Sequence, residues 1–164
     1  MMNNFTDNQL EAITTINKNV SVSAGAGSGK TRVLVERFLH ILEQGKRSGK
    51  PVNPREILAI TFTRKAAGEM KERVRKRVNE KFLEEKNDYW KQVLDELERA
   101  QITTIHGFCS RLLKENPVEL GLDPSFNLVE EFEGEEYLQE CLLDFVRQGL
   151  KQQQEELIFL TNTY

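Results

Sequence analysis

A short glycine-rich segment between an apolar run and an amphipathic run constrains this chain more than any other feature. Residues 24–31 read Ala-Gly-Ala-Gly-Ser-Gly-Lys-Thr, after an apolar stretch at 19–23 and before a helical stripe at 33–42. Small residues let the backbone curl so that successive N–H groups face phosphate oxygens, and the positive end of the following helix adds attraction. A flexible Gly/Ser linker is not normally followed at once by Lys-Thr and such a stripe. The segment predicts a nucleotide-phosphate loop preceded by a strand at residues 20–23.

The residue types of this loop predict separate roles in nucleotide binding. Lys30 is expected to reach the β- and γ-phosphates, and the Thr31 hydroxyl to complete the shell of a Mg²⁺ ion that keeps most of its waters. The usual pattern begins with glycine, and Ala24 is acceptable in that place if it needs no positive φ. Lys30 and Thr31 are the predicted catalytic residues, and the predicted phosphate site comprises Ala24, Gly25, Ala26, Gly27, Ser28, Gly29, Lys30 and Thr31.

The segment upstream of the loop supplies one more candidate for the nucleotide site. Thr6-Asp7-Asn8-Gln9 is a capping-box pattern, and apolar residues follow it at helical spacing, which predicts a short helix. A glutamine amide offers one donor side and one acceptor side, which match the N6 and N7 edge of adenine. Gln9 is therefore either a helix-capping residue or an adenine contact, and the two roles are compatible.

Length, charge and cysteine content narrow the class of protein. A chain of 164 residues with a net charge of −3 has room for one core and a small appendage, and no overall attraction for an anionic partner. Its charge is unevenly spread: residues 51–79 hold eight basic against three acidic side chains, and residues 119–147 hold nine acidic side chains and one arginine. The two cysteines fit neither a metal site nor a disulfide framework, which favours a reducing, cytoplasmic location. The polar N-terminus predicts no secretory signal or membrane span.

Apolar spacing predicts alternating helices and strands after the loop. The stripe Val33, Leu34, Phe38, Ile41 and Leu42 predicts a helix that ends at Gly45. Residues 57–62 predict a central strand covered on both faces, which together with the strand at 20–23 would give a right-handed βαβ unit.

The second half of the chain continues this pattern. A helix capped by Thr63 should bury Ala66, Met70, Val74, Val78 and Phe82, and another helix should follow around residues 89–97. A third strand is expected at 101–105, and then a helix that buries Phe108, Leu112 and Leu113. Past a break at 121–124, the spacing of Leu138, Leu142, Leu143 and Val146 predicts one more helix.

Polar, aromatic and cationic side chains follow the strands at 57–62 and 101–105. Ligands sit at the carboxyl ends of strands in open α/β sheets, so these residues are candidates for contact with single-stranded DNA. The predicted contacts are Phe62, Thr63, Arg64, Lys65, Thr104 and His106. Phe62 continues an apolar strand, which favours a core position slightly over base stacking. Cys109 is predicted to pack inside its helix and His40 to lie at a surface or boundary position.

Taken in order, these segments resemble the N-terminal motor domain of superfamily 1 DNA helicases of the UvrD/Rep/PcrA kind. Phe-Thr-x-x-Gln at 5–9 is similar to their adenine-reading Q motif, 24–31 to motif I, 61–70 to motif Ia and 103–113 to motif Ib. Ile-His-Gly-Phe-Cys and the later Leu-Asp-Pro-Ser-Phe look more like the RecB and AddA branch of helicase–nuclease subunits. Arg64 departs from the family, which commonly has Asn there.

The resemblance implies an incomplete P-loop NTPase (RecA-like) α/β fold, a parallel sheet flanked by helices with a mostly helical C-terminal segment. It implies a motor-domain part at 1–125 and the start of an inserted subdomain at 126–164. The whole protein would then be an ATP-dependent 3′–5′ DNA helicase that uses ATP and Mg²⁺ and acts in repair or recombination. As a member of the helicase–nuclease branch, it would work beside a second helicase–nuclease subunit.

Parts that the family needs for phosphoryl transfer do not appear in these 164 residues. They are motif II with its Mg²⁺-binding Asp-Glu pair, motif III and the second motor domain with its arginine finger. We therefore expect this chain alone to be inactive as an ATPase. Two other interpretations stay open: a non-catalytic nucleotide- or DNA-binding fragment, and a P-loop ATPase unrelated to helicases.

Overall fold

The computed structural model describes residues 5–25, 27–129, 131–154 and 158–159. The chain divides into two compact units, Met1–Glu115 and Asn116–Tyr164. Within the described residues the protein is α/β, with one two-stranded parallel sheet and six α-helices. The helices are α1 (Asp7–Thr14), α2 (Lys30–Arg47), α3 (Arg64–Glu85), α4 (Asp88–Glu96), α5 (Ile105–Glu115) and α6 (Glu131–Lys151), and the strands are β1 (Leu58–Thr61) and β2 (Gln101–Thr104).

The sheet joins the two predicted strands at 57–62 and 101–105, each slightly shorter than expected. β1 and β2 run parallel, with Leu58 opposite Gln101 and Thr61 opposite Thr104. The crossover between them consists of α3 and α4. Because parallel strands end at the same edge of a sheet, α3 and α5, which follow β1 and β2, begin at that edge.

One hydrophobic core holds α2, α3, α4 and β2 together. The helices contribute residues three or four positions apart, as expected for the inward stripe of an amphipathic helix. Burying each large side chain in such a core is worth about 1.5–3 kcal/mol. The buried members are Val35, Phe38, Leu39, Leu42, Met70, Val74, Val78, Trp90, Val93, Leu97 and Ile102. A smaller cluster of Ala12, Ile13 and Val33 fixes α1 against α2.

The predicted strand at residues 20–23 is wrong, because this segment has no regular secondary structure. A strand is maintained by hydrogen bonds to a neighbouring strand, and the only sheet among the described residues contains β1 and β2 alone. Val20 and Val22 are 38% and 53% exposed. The predicted βαβ unit from 20–23 to 57–62 is therefore absent from the described part. β1 is also not covered on both faces, since Leu58 and Ile60 are each 43% exposed.

Several predicted helix faces are shifted by one residue or end elsewhere. Leu34 is 48% exposed, and Val35 and Leu39 occupy the core instead. Ala67 rather than Ala66 is buried on α3. α2 runs two residues past Gly45. A Cβ atom on Gly45 would lie 2.6 Å from Cγ2 of Val52 and 2.8 Å from the carbonyl oxygen of Lys50. That glycine permits a close approach of the chain and does not end the helix.

α5 differs most from its predicted environment. It has no buried residue, and Leu112 is 43% exposed. Cys109 is exposed as well, so the prediction that it packs inside the helix is wrong. In contrast, His40 on α2 is buried and not at a boundary.

The second unit consists of turns followed by α6. The helix predicted from Leu138, Leu142 and Leu143 is confirmed, and Gly121 in the predicted break has a φ of 66°. These three leucines are 54–60% exposed in the structure. The division at residue 125 that the family resemblance implies remains a prediction.

Candidate nucleotide site and strand-end surface

Two glycines of the predicted phosphate loop have backbone conformations that permit a tight turn. Gly27 and Gly29 adopt left-handed conformations with φ of 77° and 83°, which glycine accepts without strain. Gly29 is also the N-cap of α2, so the loop leads directly into the positive end of that helix. Ala24 does not have a positive φ, as the sequence argument required. Ala26, the remaining predicted member, lies outside the described residues.

Three side-chain hydrogen bonds hold this loop together. The Ser28 hydroxyl donates to the carbonyl of Gly25 across 2.8 Å. The ammonium of Lys30 donates to the carbonyls of Ala24 and Gly25 at 2.8 and 2.7 Å. The side chain of Lys30 is thus folded over the loop, so that its positive charge lies beside the backbone that would surround a phosphate. Thr31 is exposed in the first turn of α2.

Gln9 lies against the loop and forms the predicted capping box. Its backbone N–H donates to the Thr6 hydroxyl at 3.3 Å, and its Oε1 accepts from the Thr6 N–H at 3.0 Å. Its Nε2 donates to the carbonyl of Ser28 across 3.1 Å. The capping role is therefore present, and the adenine contact remains a prediction for a residue that the fold brings to the loop.

A cavity of about 200 Å³ opens where α1, the loop and α2 meet. Gln9, Ser28 and Lys30 are among the residues that line it. Sequence reasoning missed Arg32, whose guanidinium carbon lies 4.1 Å from the ring centroid of Phe5. This pair borders a second cavity of about 490 Å³. Two features of the sequence could have indicated this contact. Arg32 directly follows Lys30-Thr31, and Phe5 directly precedes the capping box.

This site offers few protein ligands for a magnesium ion, which suits an ion that takes most of its ligands from other molecules. Among the described residues no group of three or more His, Cys, Asp or Glu side chains could hold a metal. The sequence has one Asp-Glu dipeptide, Asp95-Glu96, which lies in α4, where Glu96 pairs with Arg55. Thr31 offers a single hydroxyl, which suits an ion that takes its remaining ligands from phosphates and water.

The carboxyl end of β1 presents the predicted strand-end residues to solvent. Phe62 is 95% exposed, so the core position favoured by the sequence is wrong. The Thr61 hydroxyl donates to the Thr63 carbonyl at 3.0 Å, and the Thr63 hydroxyl caps α3 by accepting from the Ala66 N–H at 3.1 Å. Arg64 and Lys65 are exposed in the first turn of α3.

The carboxyl end of β2 is more enclosed. Thr104 is 8% exposed, and its hydroxyl accepts from the Gly107 N–H at 3.1 Å. This hydroxyl therefore stabilises the first turn of α5. A Cβ atom on Gly107 would lie 2.3 Å from the Thr103 hydroxyl, so a larger residue here would require the Thr103 side chain to move. His106 is exposed.

Most of the basic side chains between 51 and 79 take part in ion pairs. Arg77 bonds to both Glu36 and Glu80, and the hydrogen bond to Glu36 raises the pKa of its guanidinium. Lys71 and Arg75 share Glu98, which lowers the pKa of that carboxyl. The other two pairs are Arg55 with Glu96 and Arg73 with Glu69.

The other three cations of this run are outside the ion pairs found in the described part of the chain. Among the described residues Arg64, Lys65 and Lys76 have no carboxylate partner within ion-pair distance. Two of them, Arg64 and Lys65, stand at the end of β1. The local excess of positive charge is thus concentrated at the strand-end surface, which we define as residues 61–65 and 103–107.

No helix in the described part of the chain combines the length and apolar character that crossing a membrane requires.

A family model described as the UvrD/REP helicase N-terminal domain matches residues 5–163. Curated relatives are named as subunits of an ATP-dependent helicase/nuclease. The one from Heliobacterium modesticaldum is 41% identical over 130 residues, which cover 79% of this chain and 9% of the relative. Those from Clostridium beijerinckii and Ligilactobacillus salivarius are 43% identical over 133 residues and 40% identical over 148 residues, covering 79% and 88% of this chain.

The chain spans only about a tenth of the length of these relatives. The matched segments make up 10% of the Clostridium beijerinckii protein and 11% of the Ligilactobacillus salivarius protein. Both alignments cover most of the present chain.

Proposed function

The chain belongs to the UvrD/REP helicase family through its N-terminal domain, and from this premise we propose that it forms the ATP-binding part of an ATP-dependent DNA helicase. The resemblance that the four motifs carry is thereby confirmed, and the relatives' name agrees with the helicase–nuclease branch that the motifs at 105–109 and 122–126 indicated. A P-loop ATPase unrelated to helicases is set aside by the family match.

The observation that carries the proposal is the position of Lys30 over the loop. Its ammonium lies 2.7 Å from the carbonyl of Gly25 and 2.8 Å from that of Ala24. An anion offers stronger hydrogen bonds to an ammonium group than neutral carbonyls do, so bound phosphates would take over these contacts. Lys30 would hold the β- and γ-phosphates, and the backbone of residues 24–31 would surround them.

A magnesium ion would be bound through the Thr31 hydroxyl and the phosphates. When bound, it would neutralise charge on the phosphoryl oxygens. Gln9 would contact adenine with the parts of its amide that face the cavity. An Asp-Glu pair after a strand is absent from the sequence, so we propose that this chain binds ATP without hydrolysing it.

The strand-end surface would bind single-stranded DNA. The exposed ring of Phe62 would stack on a base, and Arg64 and Lys65 would attract phosphates. Thr63 and His106 would add polar contacts. Thr104 would act indirectly, because its buried hydroxyl supports the turn that carries His106.

The relatives also suggest the process and the partner of the whole protein. Proteins named as subunits of a helicase/nuclease are by that name parts of an assembly. We infer that the whole protein works in DNA repair or recombination in the cytoplasm, beside a second helicase–nuclease subunit. Movement in the 3′ to 5′ direction is what the family resemblance implies.

The proposal is tested in a protein that carries these residues together with the second motor domain. Lys30→Ala should abolish ATP hydrolysis stimulated by single-stranded DNA, and Lys50→Ala, which changes an exposed lysine after α2, should leave it intact. Hydrolysis that persists in Lys30→Ala would contradict the proposal. The longer protein could instead bind ATP and DNA without hydrolysing ATP and without unwinding a duplex. That result would support the alternative of a non-catalytic binding protein.

A further inference from the structure

Gln9 joins two separate parts of the proposed nucleotide site. Its Oε1 accepts from the Thr6 N–H at the start of α1, and its Nε2 donates to the carbonyl of Ser28 in the loop. Gln9 and Ser28 are 19 positions apart in sequence. The amide is therefore a polar bridge between the capping box and the phosphate loop.

This bridge fixes the orientation of one peptide group in the loop. In a planar trans peptide the C=O and the following N–H point in opposite directions. Since the carbonyl of Ser28 points at Gln9, the N–H of Gly29 points away from Gln9. Backbone N–H groups of such loops are the donors that surround a phosphate. Gly29 has a φ of 83°, so this peptide has few steric restraints of its own.

The amide retains further hydrogen-bonding capacity after both contacts. A glutamine side chain has two N–H donors and two acceptor positions on its oxygen, and the structure uses one of each. The bridge to the loop and a contact to adenine are thus compatible. The two contacts make different predictions for ligand binding. The bridge should affect the binding of any ligand with a phosphate chain, and the adenine contact should affect only ligands that carry adenine.

We propose that Gln9 is a positioning residue for the phosphate loop, which it orients through the Ser28 carbonyl whatever base the nucleotide carries. This inference rests on the proposed function, since it requires the loop at 24–31 to bind phosphates. Its ligand class is the polyphosphate chain itself.

The test compares a ligand without a base with ATP. Inorganic tripolyphosphate and ATP, each with Mg²⁺, are titrated into the full chain by isothermal calorimetry. Gln9→Met removes the amide without adding charge, and Gln9→Ala serves as a second variant. We expect both to weaken tripolyphosphate binding about fivefold, the effect of one lost hydrogen bond. Thermal melts establish that each variant is folded.

Thr6→Ala is the matched control. It removes the hydroxyl from the same capping box and keeps the bond from Gln9 to Ser28, so it should bind tripolyphosphate within about twofold of wild type. The inference is overturned if Gln9→Met weakens only ATP binding, if it weakens neither ligand, or if Thr6→Ala has an equal effect. Wild-type protein that binds neither ligand would overturn the phosphate site itself, which is a different result from the other three.

Discussion

Thr61 and Thr104 lie opposite each other at the last positions of β1 and β2, as partners in the parallel register. Because of this pairing, the chain turns into α3 and α5 at one edge of the sheet. Phe62, Arg64 and His106 each follow one of these two threonines within three residues, and all are exposed. The register thus gathers the proposed DNA contacts.

Replacing Arg64 tests the electrostatic part of this surface. For single-stranded DNA, a plot of log affinity against log salt concentration has a negative slope. Each phosphate contact that is lost should make this slope shallower by about 0.7. We expect Arg64→Ala to weaken binding of a poly-dT oligonucleotide at low salt and to reduce the slope by about this amount. Lys76→Ala is the control, because Lys76 also has no carboxylate partner among the described residues but lies about three turns further along α3. An equal loss in both variants would place the DNA elsewhere.

Replacing Phe62 tests the stacking contact. A ring that is 95% exposed contributes little to folding, so Phe62→Ala should leave the free energy of unfolding almost unchanged. Loss of one stacked base should weaken DNA binding by about 1–3 kcal/mol, measured by fluorescence anisotropy. Leu83→Ala, at an exposed apolar position of α3, controls for general loss of apolar surface. DNA affinity unchanged in Phe62→Ala would refute the stacking role.

Two leucines of α2 test the observed core against the stripe expected from sequence. Leu39 is 2% exposed and Leu34 is 48% exposed. Leu39→Ala should lower the free energy of unfolding by about 2–5 kcal/mol because it leaves a cavity. Leu34→Ala should change it by about 0.5 kcal/mol or less. Urea denaturation measures both, and equal losses would show that the helix is rotated relative to this structure.

His40 gives a prediction for pH. Burial lowers its pKa below the ordinary value of 6.5, with Arg37 and Arg47 acting in the same direction and Glu43 against it. The unfolded chain therefore binds this proton more readily, so the stability that neutral His40 provides is present above its unfolded pKa and is lost as the pH falls through the folded pKa. We expect wild type to lose thermal stability relative to His40→Gln between about pH 7.5 and pH 5.

The other histidine provides the control for this experiment. His106 is exposed on α5, so His106→Gln controls for the replacement of a histidine at the surface and should change the free energy of unfolding by about 0.5 kcal/mol or less. A difference between wild type and His40→Gln that is the same at both ends of the pH range would refute this account of His40.

Local signals in the sequence predicted the helices well because their causes are local. The capping box at Thr6 and Gln9 and the cap at Thr63 both formed, since each needs only residues three positions apart. The Gly and Lys-Thr pattern likewise placed Lys30 at the loop. The parallel pairing of the strands at 57–62 and 101–105 agrees with the predicted α/β class.

Burial was predicted less well because it depends on neighbours that the sequence does not identify. The segment at 20–23 has strand-like composition, but within the described residues no strand pairs with it. Phe62 continues an apolar run, yet the chain leaves the sheet at Thr61 and exposes the ring. The excess of basic residues at 51–79 overstated the charge available for DNA, because acidic partners come from α2, α4 and the turn after α4 as well as from α3 itself.

The central claim is that the loop binds nucleotide phosphates through Lys30. Isothermal titration of Mg²⁺-ATP into wild type, Lys30→Ala and Lys50→Ala tests it most directly. The account predicts that Lys30→Ala loses about tenfold or more in affinity, the effect of a lost charge-assisted contact, and that Lys50→Ala binds like wild type. ATP affinity in Lys30→Ala equal to that of wild type would contradict it.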